Sequence, residues 1–188
     1  MDYKQLNSHC VKDIYPLPRI DEMVSCLKKA RIYLKYDVMW GYKRILMDPD
    51  SQHYAAIICK FGVYKPTIML FGLQNAPAIF QRHMNYILRK LITTGKVFIY
   101  IDDILITTKD VEEHQRLTHR VIQALQDDGL LVRKRKCEFE VTEVTFLGLH
   151  ITKGTVRHSP KKCQGIQDWP TPTTMKMVQE YVGLLNYF

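Results

Sequence analysis

The chain of 188 residues contains no long apolar run. No stretch reaches the roughly 18 to 20 apolar residues that a membrane-spanning helix needs, so we expect no membrane partner. Residues 1–4 (MDYK) are polar and lack the apolar segment of a signal peptide. These two absences predict an intracellular protein and leave its compartment, cytoplasmic or nuclear, undecided.

Paired cysteines are also missing. The five cysteines are an odd number, lie far apart and include no C-x-x-C pair, so neither a disulfide framework nor a structural zinc site is indicated. The spacing predicts single reduced thiols that are mostly buried. They are Cys10, Cys26, Cys59, Cys137 and Cys163.

Acidic residues are outnumbered, with 19 Asp and Glu against 27 Lys and Arg, which gives a formal net charge of +8. An excess of cations of this size suits a polyanionic partner such as nucleic acid. Many basic proteins bind no polyanion, however, so the charge alone leaves nucleic-acid binding open. The hydrophobic content of 46% is ordinary for a globular protein and excludes disorder throughout.

The spacing of apolar residues predicts alternating strands and helices after an extended, Pro-containing start at residues 1–20. Strands are predicted at residues 32–38, 97–101, 104–106 and 146–151, with two short ones within 54–70. Helices are predicted at residues 22–30, 76–91 and 111–128, and a further one begins at Met175. The order of elements indicates an α+β fold in which helices cover one side of a sheet.

The sequence also predicts where three individual polar residues lie. Asp21 is expected to cap the first helix, and His114 and His119 are expected at the surface of the third. A change in character near residues 150–160, followed by the linker-like residues 169–174 (WPTPTT), predicts a boundary. We therefore divide the chain into residues 1–155 and residues 156–188.

Two adjacent carboxylates, Asp102 and Asp103, stand between the apolar segments 97–101 and 104–106. The interior of an apolar sheet does not tolerate such a pair, so both acids are predicted at a turn. Carboxylates held this close repel each other unless a cation neutralises them, and Asp37 near the end of another predicted strand can join them. Three hard oxygen ligands of this kind suit Mg²⁺. The alternative is an ordinary hairpin turn, where Asp is common.

The segment Tyr100-Ile101-Asp102-Asp103 resembles the Y-x-D-D box of reverse transcriptases, and residues 104–106 (ILI) continue it as gypsy-type LTR retrotransposons do. Other segments resemble further motifs of that family and follow one another in the family's order. They are residues 1–7 (MDYKQLN), 15–20 (YPLPRI), 37–42 (DVMWGY), 71–77 (FGLQNAP), 80–81 (FQ), 136–139 (KCEF), 146–148 (FLG), 169–172 (WPTP) and 182–187 (VGLLNY). A telomerase-like or group II intron enzyme fits the first box but not FGLQNAP.

The resemblance implies a palm with an antiparallel sheet backed by helices, part of the fingers and the start of the thumb. It implies an RNA-directed DNA polymerase that transfers a nucleotide from a dNTP to a primer 3′ hydroxyl on an RNA or DNA template. Asp37, Asp102 and Asp103 would be catalytic and would bind Mg²⁺ or Mn²⁺, a pair of which supports such a transfer. A further implied partner is the rest of a pol polyprotein, including RNase H and integrase.

By the same resemblance, five residues would bind the incoming nucleotide: Tyr42, Phe71, Gly72, Gln74 and Tyr100. Tyr42 would stack under the sugar and reject a 2′ hydroxyl, with a purely structural core aromatic as the alternative. Phe71 and Gly72 would lie beside the nucleotide, where Gly permits a close approach of the backbone. Tyr100 of the Y-x-D-D box would belong to the same nucleotide-binding site.

The resemblance also assigns polar and basic residues. Gln74, Asn75 and Gln81 would reach template or nucleotide, although helix capping explains Asn75 almost as well. Lys136 would be catalytic by protonating the leaving pyrophosphate. The basic run 133–136 around it fits a solvated face or a phosphate contact equally. Residues 146–148 would lie in a hairpin that holds the primer end.

Some positions depart from the family pattern. Leu70 stands where the family has Pro, Met39 and Trp40 replace a polar and small pair, and His53-Tyr54 replaces Lys-Thr. By the resemblance, the chain would begin inside the fingers and would lack the upstream strands that grip the triphosphate and most of the thumb. These features motivate the alternative of a non-catalytic retrotransposon remnant that at most binds nucleic acid, with a strong dependence on salt. For the isolated chain we expect little or no turnover.

Overall fold

The computed structural model describes residues 2–185, which contain ten strands and seven helices. The strands are β1 (Ile32–Met39), β2 (Ile57–Cys59), β3 (Gly62–Tyr64), β4 (Val97–Tyr100), β5 (Asp103–Thr108), β6 (Leu131–Val132), β7 (Glu138–Val141), β8 (Glu143–Phe146), β9 (Leu149–Thr152) and β10 (Thr155–His158). The helices are α1 (Lys4–His9), α2 (Ile20–Leu27), α3 (Ala76–Ile87), α4 (Arg89–Ile92), α5 (Val111–Asp127), α6 (Pro160–Gln167) and α7 (Met175–Leu185). Short 3-10 helices cover Gly41–Arg44, Pro49–Ala55 and Lys134–Lys136.

The central sheet is antiparallel and has the order β4-β5-β1-β6, with β7 also paired to β1. β1 therefore lies in the middle, with β5 on one side and with β6 and β7 on the other. Side chains alternate between the two faces of a strand. Leu34 and Tyr36 of β1 belong to one hydrophobic core and Tyr33 belongs to another. This alternation places Asp37 on the same face as Tyr33.

Both faces of the central sheet are covered. On the Leu34 face pack α3 and α5, which contribute Phe80 and Val121 to the first core. On the other face pack α2 and the three-stranded sheet β10-β9-β8, through Leu27 and Phe146. The predicted α+β class and helix-backed antiparallel sheet are confirmed. The cover on the second face was not predicted.

Local chemistry explains where α5 begins and ends. The side chain of Asp110 accepts a hydrogen bond of 2.9 Å from the backbone N–H of Glu113, which caps the first turn. Gly129 has a φ of 73°, a conformation that favours the end of a helix. The buried side chains between these points recur every three or four residues: His114, Leu117, Val121 and Leu125. The observed helix agrees with the predicted one to within a residue.

The single strand predicted for residues 146–151 is wrong. Leu147 and Gly148 have φ values of 50° and 75° and form a tight turn between β8 and β9. Phe146 and Leu149 on either side are paired and both buried, so an apolar hairpin has the composition of one apolar strand. The helix predicted for residues 76–91 is likewise two helices, since Leu88 separates α3 from α4.

The N-terminal predictions also need correction. The chain is extended from Val11 onward, but α1 occupies part of the segment before it. α2 begins at Ile20 with Arg19 in the capping position, so Asp21 is not the cap.

His114 of α5 is fully buried, contrary to expectation, and its Nδ1 lies 2.8 Å from Oγ1 of Thr108.

Other surface predictions have mixed outcomes. His119 is exposed as predicted. Four of the five cysteines are exposed and Cys137 is half-buried, so the prediction of mostly buried thiols is wrong. The helix predicted from Met175 is present as α7, while the last part of the VGLLNY segment lies outside the described residues. Within residues 2–185, no helix is long and apolar enough to cross a membrane.

Candidate active site

The strands that carry the predicted catalytic aspartates are direct neighbours. Asp37, near the end of β1, is paired with Asp103, the first residue of β5. The backbone N–H of Val38 donates a hydrogen bond of 2.9 Å to the carbonyl oxygen of Asp102, which extends the pairing into the turn. Directly paired residues of antiparallel strands point to the same face. Asp37 and Asp103 therefore share the face opposite to α3 and α5.

Ile101 and Asp102 form the turn between β4 and β5, so Asp102 lies in the turn as predicted, whereas Asp103 is the first residue of β5. Ile101 has a φ of 54°, a left-handed conformation that β-branched residues rarely adopt. Positive φ values are, however, what tight hairpin turns require. The turn places Asp102 just beyond the paired strands, beside the two other carboxylates.

The side chain of Asp102 lacks a hydrogen-bond partner at one oxygen. Among the described residues, nothing donates to its buried Oδ1. Burial, and then the negative charges of Asp37 and Asp103, raise the pKa of Asp102 to about 6, while Arg133 opposes the shift. A buried carboxylate in this position is costly unless a cation approaches it.

Basic side chains face the other two aspartates. Nη1 of Arg133 lies 3.6 Å from Oδ1 of Asp37, and Nζ of Lys136 lies 3.7 Å from Oδ2 of Asp37. Nζ of Lys35 lies 3.6 Å from Oδ1 of Asp103. The structure thus brings Lys136 together with the three aspartates, as the resemblance implied. Its role in protonating pyrophosphate stays a prediction.

The donor set of the aspartates fits a hard divalent cation. Carboxylate oxygens are the ligands that Mg²⁺ prefers, and the buried Oδ1 of Asp102 has no competing hydrogen bond within residues 2–185. In that same range no group of three or more His, Cys, Asp or Glu side chains is already arranged to hold a metal ion. Asp37 and Asp103 instead face the basic side chains. A cation at Asp102 would compete with these ion pairs.

Tyr42 lies close to this carboxylate cluster. Its ring centroid is 4.8 Å from that of Phe71 and 5.3 Å from that of Phe80. Tyr42 is buried and Phe71 is exposed, so the stack runs from the core to the surface. Burial, followed by the charge of Asp102, raises the pKa of Tyr42. Tyr42 is thus a core residue and a neighbour of the site at once.

Gly41 permits the close packing of this aromatic group. A Cβ atom at Gly41 would lie 2.2 Å from Cζ of Phe80, which is far inside van der Waals contact. A side chain here would push Phe80 or the turn that carries Tyr42 out of place. The sequence analysis missed this requirement. The signal for it was a glycine directly before the predicted nucleotide-binding tyrosine.

The remaining residues that were predicted to contact the nucleotide lie in two places, at the end of β4 and in the loop before α3. Tyr100 pairs with Asp103 across β4 and β5 and is half-buried. Gly72, with a φ of 93°, and Gln74 are held by Asn7 of α1. Nδ2 of Asn7 donates to the carbonyl of Gly72 at 2.7 Å, and its Oδ1 accepts from the N–H of Gln74 at 2.9 Å. Their contact with a nucleotide stays a prediction.

Gln74 also lines an apolar cavity of about 310 Å³ between α1 and the start of α3. Among the described residues that line this cavity, none is a member of the aspartate triad. The cavity is therefore separate from the carboxylate cluster, and Gln74 belongs to its wall.

Two polar residues of the FGLQNAP and FQ segments have roles that differ from the expected ones. Asn75 stands at the start of α3 without capping it; its side chain accepts from the N–H of Asp13 and donates to the carbonyl of Val11. Gln81 is fully buried. Capping by Asn75 and a template contact by Gln81 are therefore wrong.

A comparison of the sequence with protein-family models decides the family. The model described as "Reverse transcriptase (RNA-dependent DNA polymerase)" matches residues 1–151. The chain belongs to the reverse transcriptase family. It is 37% identical over 188 residues to the retrovirus-related Pol polyprotein from transposon 297 of Drosophila melanogaster. It is 32% identical over 187 residues to the transposon Tf2-3 polyprotein of Schizosaccharomyces pombe.

Both matches cover 100% of this chain but only 18% and 14% of the relatives, so the chain spans less than a fifth of these polyproteins. The relatives confirm the retrotransposon origin that the motifs indicated. Among solved structures, the foamy viral protease-reverse transcriptase in complex with double-stranded DNA is similar, with a TM-score of 0.86 and 25% identity. That similarity covers 99% of this chain and 32% of the viral one.

In this reverse transcriptase domain, Lys35 is a further site residue that the sequence analysis missed. It lies two positions before Asp37 on β1, so the period of a strand places both side chains on one face. That spacing was the available signal. Arg133 was noted as part of a basic run, but its contact with Asp37 joins segments 96 positions apart (133 minus 37) and has no local signature.

Proposed function

We propose that this domain is an RNA-directed DNA polymerase that adds nucleotides from dNTPs to a primer 3′ hydroxyl. The observation that carries the proposal is the buried Oδ1 of Asp102, which has no hydrogen-bond partner within residues 2–185 and lies beside Asp37 and Asp103. Membership of the reverse transcriptase family supports it, and no structural observation favours the non-catalytic alternative.

Asp37, Asp102 and Asp103 would hold Mg²⁺ or Mn²⁺. When bound, such ions would supply the positive charge that stabilises the attacking and leaving oxygens of nucleotidyl transfer. The protein contributes the fixed position of the carboxylates, since two of them are paired across adjacent strands. Preorganised charge of this kind lowers the barrier because it needs no rearrangement during the reaction.

Other residues of the cluster would bind and orient the nucleotide. Tyr42 is held by Phe71 and Phe80, so its ring is a rigid surface on which a sugar can rest. Lys136 and Arg133 place two positive charges beside Asp37, where the phosphates of a dNTP would arrive with the cation. Phosphate oxygens would then take over part of their ion pairing with Asp37.

A nucleic-acid template and primer are the proposed macromolecular partners. The structural relatives include a foamy viral protease-reverse transcriptase in complex with an RNA/DNA hybrid, with a TM-score of 0.81 and 25% identity. The net charge of +8 suits such a ligand. The relatives named as Pol polyproteins support a larger polyprotein as the setting of this domain, and we propose RNase H and integrase as its further segments. We also propose the division into residues 1–155 for palm and fingers and 156–188 for linker and thumb start.

Primer extension tests the proposal. The chain is incubated with poly(rA)/oligo(dT), dTTP and either Mg²⁺ or Mn²⁺, and the primer length is followed with time. Asp102→Asn and Asp103→Asn should each lower extension by at least about a hundredfold, because each removes charge from the site. Asp127→Asn, an exposed acid on α5, is the matched control and should extend primers like the parent.

Extension that requires the cation and disappears in both site variants would support a working polymerase. Because little or no turnover is expected of the isolated chain, the deciding assay uses the domain within a restored full-length polyprotein. Such a protein that folds and binds the template-primer but never extends it would contradict the proposal. That result would leave the non-catalytic binder as the function of the chain.

A further inference from the structure

Gln81 of α3 is fully buried beneath the turn that carries Asp102. Its Oε1 accepts a hydrogen bond of 2.7 Å from the backbone N–H of Ile101. Its Nε2 donates to the carbonyl oxygen of Ile99 at 3.2 Å. The amide group thus contacts the backbone on both sides of Tyr100, at the point where β4 ends.

The two partners fix the orientation of the Gln81 amide. A backbone N–H requires the oxygen and a carbonyl requires the nitrogen, so only one orientation of the amide satisfies both. Ile101 has the left-handed φ of 54°, a conformation that a β-branched residue adopts only when its surroundings hold it there. The hydrogen bond from its N–H to Gln81 is such a constraint.

A chain of hydrogen bonds anchors Gln81 in turn. Its Nε2 also donates to Oδ1 of Asn85, one turn further along α3, at 2.9 Å. Nδ2 of Asn85 donates to the hydroxyl oxygen of Tyr15 at 2.9 Å. Arg82 lies over the ring of Tyr15 and pairs with both carboxylate oxygens of Asp13. The extended segment around residues 11–15 is thereby tied to the helix that supports the catalytic turn.

We propose that Gln81 is a positioning residue for the aspartate turn. It holds Ile101 in the left-handed conformation and so fixes where the carboxylates of Asp102 and Asp103 stand relative to Asp37. The link through Asn85 and Tyr15 keeps Gln81 in place. The effect of Gln81 on catalysis rests on the proposed polymerase function. The restraint that Gln81 places on the turn does not depend on that function.

The main test variant is Gln81→Met, which keeps the length of the side chain and removes every hydrogen bond. Gln123→Met is the matched control, because Gln123 is an exposed glutamine that bonds only within α5 in the described structure. Amide hydrogen exchange at Ile101 reports directly on the bond to Gln81, with amides in the middle of β5 as the internal reference for global stability. Mn²⁺ affinity, followed by electron paramagnetic resonance, reports on the carboxylates.

In Gln81→Met, exchange at Ile101 should speed up by roughly tenfold or more while the β5 amides change less, because only the local restraint is lost. Mn²⁺ affinity should fall by about tenfold, as expected when a supporting contact of metal ligands is removed. In primer extension, kcat should fall by about a hundredfold with KM for dTTP changed little, because the misplacement affects the reacting geometry. Gln123→Met should match the parent throughout.

A folded Gln81→Met with parental exchange at Ile101 and parental Mn²⁺ affinity would overturn the proposal. If Gln81 had a purely structural role, Gln81→Met would lower the melting temperature and speed up exchange at all amides alike. If Gln81→Met does not fold, Asn85→Ala is the deciding variant, because it leaves both contacts of Gln81 with the backbone intact. The rate of amide exchange at Ile101 should then rise by an intermediate amount. A parental exchange rate at Ile101 in Asn85→Ala would overturn the anchoring chain. Primer extension by the parent bears on the polymerase function alone, because the exchange measurement tests Gln81 without it.

Discussion

The carboxylate of Asp102 and the ammonium group of Lys35 illustrate how single residues set the electrostatics of the site. Asp103 faces Lys35, and Asp37 faces Arg133 and Lys136, so each has a nearby cation. Asp102 is the member of the triad whose pKa is raised, to about 6, by burial and by its two acidic neighbours. Its charge therefore destabilises the metal-free fold at neutral pH, and a bound cation would remove that cost.

Asp102→Asn should stabilise the metal-free domain at pH 7.5. The substitution removes a half-buried charge without changing the shape of the side chain, and we expect a gain on the order of 1 kcal/mol after allowing for screening by water. Asp103→Asn is the comparison, because it also removes the ion pair with Lys35 and should bring no gain. Thermal melts in EDTA measure both. A melting temperature of Asp102→Asn at or below that of the parent would contradict this reading of the site.

At the level of single residues, the sequence predicted the three aspartates and Lys136 because their motifs are local and specific. Gln81 was predicted at the template, yet it is buried under Ile101. A polar residue in a helix has the same local pattern whether it faces solvent or a backbone turn. Only the packing of α3 against β4 distinguishes the two.

Between elements, the turn after β1 packs closely against α3. Gly41 lies so close to the ring of Phe80 that even a methyl group would overlap it. The same ring packs against Tyr42. This contact joins the strand that carries Asp37 to the helix that carries Gln81, so the two halves of the site share one interface.

Gly41→Ala should destabilise the domain by about 1–3 kcal/mol, as overpacking of a core does, and displace the ring of Tyr42. The double variant Gly41→Ala with Phe80→Leu should lose less than the sum of the single changes, because the smaller side chain relieves the overlap. Urea unfolding measures all three. The control is Gly165→Ala in α6, where nothing lies within 4 Å of the added atom. Additive losses in the double variant would contradict the close contact.

Element by element, the sequence predicted most helices and strands of the central sheet and failed where a turn has an apolar composition. The hairpin of β8 and β9 was taken as one strand because Leu147 is as apolar as the strand residues around it. The sequence did not predict α1, because a helix of six residues is too short to show a detectable helical periodicity of apolar residues. Both cases depend on tertiary contacts that override local preference.

Across the whole molecule, the motifs that identify the family are brought into contact with one another. Asn7 of the first motif binds the FGLQNAP loop, 65 positions away at Gly72. Asn75 of that loop binds the extended segment at Val11 and Asp13. Such pairings have no signature in a single sequence, which is why the order of the motifs could be predicted and their mutual contacts could not.

Binding of Mn²⁺ to the intact chain tests most directly the claim that the aspartates of β1 and the β4–β5 turn form one cation site. Electron paramagnetic resonance would follow free Mn²⁺ during titration of the parent, Asp102→Asn and the exposed control Asp127→Asn. The account predicts saturable binding in the parent and the control, and loss of that binding in Asp102→Asn. Equal Mn²⁺ binding by all three proteins would contradict it.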